Sequence, residues 1–194
     1  MNGFYMIEKI ENLITILNKL DSMKNDMESA ANLIAKAFKQ GNKILLCGNG
    51  GSAAEAQHIA AEYVSSLRHE MKRNALPALA LTTDTSFITA RGNDYGFDEI
   101  FERQLEAFGK SGDVLIGIST SGNSKNVVKA ISKAKETGMK VIGLTGESGG
   151  VMKEMCDVIF RVPSKETMRI QECHLFIEHT IVGLVEQKLF GFAL

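Results

Sequence analysis

The 194-residue chain has no tryptophan, only two prolines and three cysteines, and no excess of either charge. Its cysteines, Cys47, Cys156 and Cys173, are odd in number and form no C-x-x-C pair, which excludes a disulfide framework and favours a reducing, cytoplasmic location. With 22 Lys and Arg against 23 Asp and Glu, there is no cationic surplus to neutralise nucleic-acid phosphates, so we expect no nucleic-acid partner. No segment approaches the ~18 apolar residues of a membrane span, and the N-terminal stretch carries charges where a secretory signal needs an apolar core. We therefore expect no membrane association.

What the chain does contain is a change of apolar spacing near Gly41. Between Ile7 and Phe38, apolar residues recur every three or four positions, which predicts two amphipathic helices. Beyond Gly41 the apolar residues form five short runs, each interpreted as a buried strand: 43–48, 75–81, 113–119, 140–146 and 157–163. Segments such as 124–137 are long enough to cross over a parallel sheet as helices. The sequence therefore predicts an α/β fold with a doubly wound, parallel five-stranded sheet.

The final segment, 167–189, is apolar around most of a helical circumference. Such a helix is surrounded by protein, and a single α/β layer covers it poorly. Together with the amphipathic N-terminal pair, it predicts a helical bundle formed between subunits and hence a homo-oligomer. The alternative is a monomer that packs these helices on its own sheet.

The first polar turn of interest is GNGGS, residues 48–52, which directly follows the first predicted strand. Glycines let backbone N–H groups approach an anionic or hydroxyl-rich ligand closely, and ligands of parallel sheets bind beyond the carboxyl ends of strands. The turn lacks the lysine of a P-loop, and Ala53 occupies the last glycine position of a dinucleotide fingerprint, so nucleotide binding has weak support. The alternative is a purely structural tight turn with Ser52 as the helix N-cap.

The second polar turn is STSGNS, residues 119–124, between the third predicted strand and the helix 124–137. Four hydroxyl groups converge there with the unpaired N–H groups and partial positive charge of a helix start. This combination predicts a cradle for a phosphate monoester that must be held and released. The alternative is that the hydroxyls only cap the helix.

A third group pairs an imidazole with a carboxylate. His58 and Glu62 are four residues apart on the helix after GNGGS, so they share a face and can hold zinc or act as an acid/base pair; a surface hydrogen bond is the alternative. The last helix contains polar residues in an apolar context, where they need partners: Gln171, His174, Glu178 and His179. His179 therefore either makes a structural hydrogen bond or completes a site.

The sequence resembles the phosphoheptose isomerases, the sedoheptulose 7-phosphate isomerase family of the SIS fold. The resemblance lies in His179 and in four blocks: CGNGGSAAEAQHIAAE (47–62), GNDYGFDEIFERQ (92–104), DVLIGISTSGNS (113–124) and RIQECH (169–174). The resemblance implies a single SIS domain over 1–194, of flavodoxin-like three-layer architecture. In it, 1–40 would be an N-terminal helical extension used in oligomerisation and 41–194 the α/β core with its C-terminal helix. A homotetramer with sites at subunit interfaces is also implied.

The resemblance further implies conversion of sedoheptulose 7-phosphate to D-glycero-D-manno-heptose 7-phosphate through a zinc-assisted enediolate. This would be the first step of nucleotide-activated heptose synthesis for a surface polysaccharide such as lipopolysaccharide or capsule. One Zn²⁺ per subunit would be held by His58, Glu62, Gln171 and His179, with Glu62 as general base and His179 as proton donor. The implied substrate contacts are Asn49, Gly50, Gly51, Ser52, Glu62, Asn93, Asp94, Ser119, Thr120, Ser121, Ser124 and Gln171.

Two features leave alternatives open. Gln171 and His179 are eight residues apart, ~12 Å of helical rise, so either both side chains stretch toward one metal or the ligands come from different subunits. The stretch 63–74 departs from the family's usual Gly-Arg-aromatic pattern, which leaves an isomerase for another ketose phosphate open. A noncatalytic SIS module that binds a sugar phosphate or a replication-initiator protein is the remaining alternative.

Overall fold

The computed structural model describes residues 3–192, and side chains from residue 5 onward. The chain begins with two helices, α1 (Gly3–Lys19) and α2 (Lys24–Lys39), joined by the 3-10 turn Leu20–Met23. Both are amphipathic, as their spacing predicts. Their buried apolar residues include Ile16, Leu20, Met27, Ile34 and Ala37.

Five parallel strands follow, in the order β2-β1-β3-β4-β5. They are β1 (Ile44–Gly48), β2 (Ala78–Ala80), β3 (Val114–Ile118), β4 (Lys140–Gly146) and β5 (Val158–Val162). This confirms the predicted doubly wound, parallel five-stranded sheet with the flavodoxin-like strand order. Strand β2 is added on one side of β1, and β3, β4 and β5 are added on the other side. The carboxyl ends of β1 and β3 therefore flank the topological switch point, where ligands bind in such sheets.

Helices cover both faces of the sheet and make it a three-layer structure. They are α3 (Gly51–Val64), α4 (Thr85–Tyr95), α5 (Ile100–Phe108), α6 (Lys125–Glu136) and α7 (Thr167–Phe190). One apolar cluster joins α1, α2, α3 and α7 to one face, and a second joins α5 and α6 to the other. Alternate residues of β1 divide between them: Ile44 and Leu46 face the first cluster, Leu45 and Cys47 the second.

Strand β2 is shorter and less buried than its sequence predicts. The apolar run 75–81 predicts a buried strand, but only Ala78–Ala80 are extended in the sheet, and Leu79 is exposed. Pro77 has no N–H to donate to a ladder, although its carbonyl accepts a bond from Ile44 N. As an edge strand, β2 pairs only with β1, so no neighbouring strand covers its outer side.

The last helix, α7, is covered to a large extent by its own chain, where it packs against α2 and α3. Its inward residues, such as Ile177, Val182 and Val185, are fully buried. Apolar side chains that remain exposed include Met168 and Phe176 on α7 and a set on α1: Tyr5, Met6, Ile7, Ile10 and Ile14. The predicted intersubunit bundle stays a prediction, and these side chains are the surface on which it would form.

In the described part of the chain, no helix combines the length and the apolar character that crossing a membrane requires.

Candidate active site

The GNGGS turn lies at the carboxyl end of β1 and opens α3. Gly50 is the N-cap residue of α3 and has φ +56°, a conformation that L side chains rarely adopt. Ser52 lies inside the first helical turn, with its N–H donating to the carbonyl of Asn49 at 3.0 Å, and is 3% exposed. The interpretation of Ser52 as the N-cap is therefore wrong, because the helix begins one residue before it.

A pair of amides ties the two polar turns together. Asn49 Nδ2 donates to Asn126 Oδ1 at 2.8 Å, and Asn126 Nδ2 donates back to Asn49 Oδ1 at 2.9 Å. Asn126 is buried in the first turn of α6. Sequence reasoning missed Asn126, since nothing in the spacing of one asparagine in a predicted helix indicates a partner 77 residues away.

The STSGNS turn gathers its hydroxyl groups at the start of α6. Ser119 Oγ lies 2.9 Å from Ser124 Oγ and 3.4 Å from Ser121 Oγ. Ser124 is the N-cap residue, yet its side chain makes no capping hydrogen bond, so the interpretation of this hydroxyl as a plain cap is wrong. Val127 N, in the first turn of α6, donates to Asn126 Oδ1 at 2.9 Å, whereas the Ser124 hydroxyl caps none of the N–H groups at this helix start. The helix dipole favours an anion there.

Thr120 is half-buried in this turn, and its carbonyl accepts a bond from Gly146 N at the end of β4. Ser121 Oγ accepts from Asn123 N at 3.1 Å, while Asn123 Oδ1 accepts from Val151 N. The turn is therefore held by backbone and amide bonds to neighbouring segments. Its conformation does not depend on the hydroxyls alone, which leaves them available for a ligand.

His58, Glu62 and His179 meet where α3 passes α7. His58 Nε2 lies 2.8 Å from His179 Nε2 and 3.7 Å from Glu62 Oε1, and one ligand atom from each residue falls within 4.8 Å of the others. Glu62 Oε2 is buried without a hydrogen-bond partner. The pair on α3 is thus part of a three-residue group, which the surface-pair interpretation does not predict.

The electrostatics of this group suit a metal ion. Burial and the neighbouring His58 lower the pKa of His179 below its usual value, against the opposite effect of Glu62. Neutral imidazole is the form that binds metals, and two imidazoles with one carboxylate are a donor set that zinc prefers. Glu62 Oε2 has no hydrogen-bond partner, and the two ring nitrogens lie 2.8 Å apart, so a cation bound among them would provide a partner for all three groups. The residues present therefore fit Zn²⁺.

Gln171 lies elsewhere within the chain. Its side-chain amide covers Gly51, such that a Cβ at Gly51 would overlap it. Gly51 precedes His58 by seven residues, about 10 Å of helix, so Gln171 is beside the GNGGS turn and not beside His179 of the same chain. Within one chain, Gln171 therefore lies outside the group of His58, Glu62 and His179.

Asn93 and Asp94 are exposed near the end of α4, where Asn93 Nδ2 donates to Asp94 Oδ1 at 2.8 Å. Within residues 3–192, no hydrogen bond joins either side chain to the GNGGS or STSGNS turn. The described chain thus brings together the two turns and, separately, the histidine–glutamate group, but not this pair.

The remaining polar residues of α7 have structural environments. His174 is fully buried, with Nε2 3.1 Å from the carbonyl of Thr145 and Nδ1 3.8 Å from Glu55 Oε2. Glu178 is 3% exposed, and neither of its oxygens has a partner. Burial, reinforced by Glu55, raises the pKa of Glu178 well above its usual value, because both effects disfavour the charged form.

Comparison with known proteins agrees with this geometry. The SIS domain model matches residues 8–146. A parallel sheet of order β2-β1-β3-β4-β5, with hydroxyl- and glycine-rich turns at its switch point, makes this chain a SIS-domain protein.

Its similarity to known proteins is extensive. It is 53% identical over 175 residues to the phosphoheptose isomerase of Aliarcobacter butzleri, covering 90% of this chain and 92% of that one. It is 56% identical over 165 residues to that of Clostridium acetobutylicum, covering 85% and 83%. The solved phosphoheptose isomerase of Neisseria gonorrhoeae superposes with a TM-score of 0.90 at 42% identity, covering 96% of this chain and 100% of that one. The chain belongs to the phosphoheptose isomerase family and is a sugar-phosphate isomerase, which confirms the family and fold that its motifs predict.

Proposed function

We propose that the enzyme converts sedoheptulose 7-phosphate to D-glycero-D-manno-heptose 7-phosphate, as the first step of nucleotide-activated heptose synthesis for a surface polysaccharide. The observation that carries the proposal is the group of His58, Glu62 and His179, whose ligand atoms lie within 4.8 Å of one another. A noncatalytic module that only binds a sugar phosphate has no need for it. The names of the relatives support the seven-carbon substrate.

Binding is divided between the two turns. The hydroxyls of Ser119, Ser121 and Ser124 and the first N–H groups of α6 hold the phosphate, because they combine donors with the positive end of the helix dipole. Fixing that end restricts where C1 and C2 can lie. The remaining sugar contacts in the proposal are Asn49, Gly50, Gly51, Ser52, Asn93, Asp94, Thr120 and Gln171.

The reaction requires a proton to leave C1 and one to arrive at C2. Glu62 is the base at C1, and His179 donates the proton that completes the aldose; a positioned group of this kind accelerates proton transfer by ~10² to 10⁴-fold. His179 takes the proton that leaves the O1 hydroxyl and passes it to C2, while the proton held by Glu62 goes to O2, so that O1 becomes the new carbonyl oxygen. Because its pKa is lowered, His179 gives up this proton readily.

One Zn²⁺ per subunit fits His58, Glu62 and His179, with Gln171 as the fourth ligand. When bound, the ion supplies Lewis acidity toward the ketone and its neighbouring hydroxyl. A carboxylate held tightly by a cation is a weak base, so Glu62 has to be held loosely for its role at C1.

The assembly we propose is a homotetramer of single SIS domains spanning 1–194, in which residues 1–40 serve oligomerisation. The exposed apolar side chains of α1, among them Ile7, Ile10 and Ile14, supply a surface for it. In this proposal Gln171 completes the zinc site of a neighbouring subunit, because it lies beside Gly51 and not beside His179 in its own chain. The three free thiols fit a reducing cytoplasm.

The test is turnover of a panel of ketose phosphates by the purified enzyme, with aldose formation as the readout. Sedoheptulose 7-phosphate should be the preferred substrate, Glu62→Gln should lose at least ~100-fold in kcat, and the exposed Glu136→Gln should match the wild type. If the enzyme prefers a shorter ketose phosphate, that sugar would take the place of sedoheptulose 7-phosphate in the proposal. Binding without turnover of any sugar would favour the noncatalytic alternative.

A further inference from the structure

A buried ion pair lies at the C-terminal end of α3, close to the histidine–glutamate group. Arg73 follows α3 in the segment leading to β2, and its side chain is 0% exposed, while that of its partner Glu186 on α7 is 1% exposed. Arg73 Nε donates to Glu186 Oε1 at 2.7 Å. The same carboxylate oxygen accepts from Leu67 N at 3.2 Å.

The other donors of Arg73 close the end of α3. One terminal nitrogen donates to the carbonyl of Glu62 at 2.8 Å, and the other donates to the carbonyls of Tyr63 at 2.9 Å and Asn74 at 3.0 Å. Carbonyls in the last turn of a helix have no partner within the helix, and a cation is favoured at that end. Arg73 therefore caps the helical turn from which the Glu62 side chain projects.

The pair also connects the two helices that supply the proposed metal ligands. His58 and Glu62 are on α3, whereas His179 is on α7, seven residues before Glu186. Apolar packing alone leaves neighbouring helices some freedom to slide, because dispersion and hydrophobic contacts are not directional. The guanidinium bonds are directional, and they join the end of α3 to α7 two turns from the histidine contact.

We propose that Arg73 and Glu186 are positioning residues that fix the spacing of His58, Glu62 and His179, and thereby set the affinity of this group for Zn²⁺. Zinc–ligand bonds tolerate little variation around ~2.0 to 2.2 Å, so a small shift of one helix against the other separates the ligands. The inference rests on the metal site of the proposed function and extends it to residues that touch neither metal nor substrate.

The test compares Zn²⁺ affinity, measured by chelator competition on full-length protein stripped of metal, for Arg73→Lys and Glu186→Gln. Lysine keeps the charge but lacks the planar fork that reaches the carboxylate and the helix carbonyls together. Glutamine keeps the shape of Glu186 but removes its charge, and serves if the lysine variant does not fold. Each variant should weaken Zn²⁺ binding by roughly 10- to 100-fold, the usual effect of losing a partner that orients a ligand.

The matched control is Asp113→Asn, which disrupts a second buried carboxylate, located just before the first residue of the central strand β3 and so at the opposite end of that strand from the STSGNS turn. Asp113 accepts bonds from Lys43 N, Lys43 Nζ and Lys110 N. This variant should lower the unfolding temperature yet bind Zn²⁺ like the wild type.

Equal Zn²⁺ affinity in wild type, Arg73→Lys and Glu186→Gln would overturn the inference and leave the proposed function intact. A loss of affinity in Asp113→Asn as large as in the Arg73 variant would also overturn it, since general destabilisation would then explain both. A wild-type protein that binds no Zn²⁺ would remove the proposed metal site and this inference together.

Discussion

Ser124 starts α6 without capping it, because its hydroxyl lies against Ser119 and bonds to no helix amide. At the scale of single residues, this contact assigns the Ser124 hydroxyl to ligand binding and not to stabilising the helix. A hydroxyl that stabilises nothing in the helix start is free to meet a phosphate oxygen, and its removal should affect binding more than folding.

We predict that Ser124→Ala raises KM for the sugar phosphate by about 10- to 100-fold, the equivalent of one hydrogen bond to a charged group, with little change in unfolding temperature. The matched control is Thr137→Ala at the other end of α6, whose hydroxyl donates to the carbonyl of Lys133 at 2.8 Å. Steady-state kinetics should give an unchanged KM for it. An unchanged KM for Ser124→Ala would remove this hydroxyl from the phosphate site.

Glu178 illustrates a cost in stability at the same scale. Its pKa in the folded protein is well above its usual value, whereas in the unfolded chain it titrates near ~4.3. Between these two values the folded state binds more protons than the unfolded state, so the free energy of unfolding falls as pH rises. Glutamine does not ionise and avoids this fall.

Glu178→Gln should therefore gain stability relative to wild type between pH 5 and pH 8, by ~1.4 kcal/mol for each pH unit over which only the unfolded chain is ionised, and be close to wild type at pH 5. Denaturant unfolding in the presence of a chelator measures this without a contribution from metal. The exposed Glu154→Gln should follow the wild type at both values. If the stability gain were equal at pH 5 and pH 8, ionisation of Glu178 would not be its source.

Among elements, the contact between α7 and the start of α3 is mediated by Gln171 over Gly51. We predict that Gly51→Ala folds but loses at least ~10-fold in kcat/KM, because the new methyl group displaces the flexible end of Gln171. A double-mutant cycle with Gln171→Ala isolates this contact. In the Gln171→Ala background, Gly51→Ala should cause little further loss of kcat/KM. Additive losses of kcat/KM would show that Gly51 acts through its own backbone.

How far sequence predicts structure here depends on the range of the signal. The runs forming β1, β3, β4 and β5 and the helix α7 follow local periodicity, which is why their bounds agree with the structure to within a residue or two. The bounds of β2 differ from the predicted run 75–81, because the extent of this strand depends on pairing at a sheet edge. Asn126, Arg73 and Glu186 carry no local signal, since their partners lie 77 to 113 residues away in the chain.

At the scale of the whole molecule, the proposed tetramer would cover the exposed apolar side chains of α1. We predict that Ile14→Lys lowers the mass measured by sedimentation, because a charge buried without a partner is costly at an interface. Thr15→Lys, which adds the same residue to the neighbouring exposed position, should leave the mass unchanged. A wild-type chain that sediments as a monomer at micromolar concentration would refute the tetramer.

The proposed reaction depends on proton transfer at neighbouring carbons, and hydrogen exchange with solvent measures that step directly. Sedoheptulose 7-phosphate is incubated with the zinc-loaded enzyme in D₂O, and the recovered sugars are analysed by NMR and mass spectrometry. We predict an aldose heptose 7-phosphate, with deuterium at C1 of the recovered ketose or C2 of the aldose. If no deuterium is incorporated and no aldose forms with Zn²⁺ or any other divalent cation, the proposed isomerisation is contradicted.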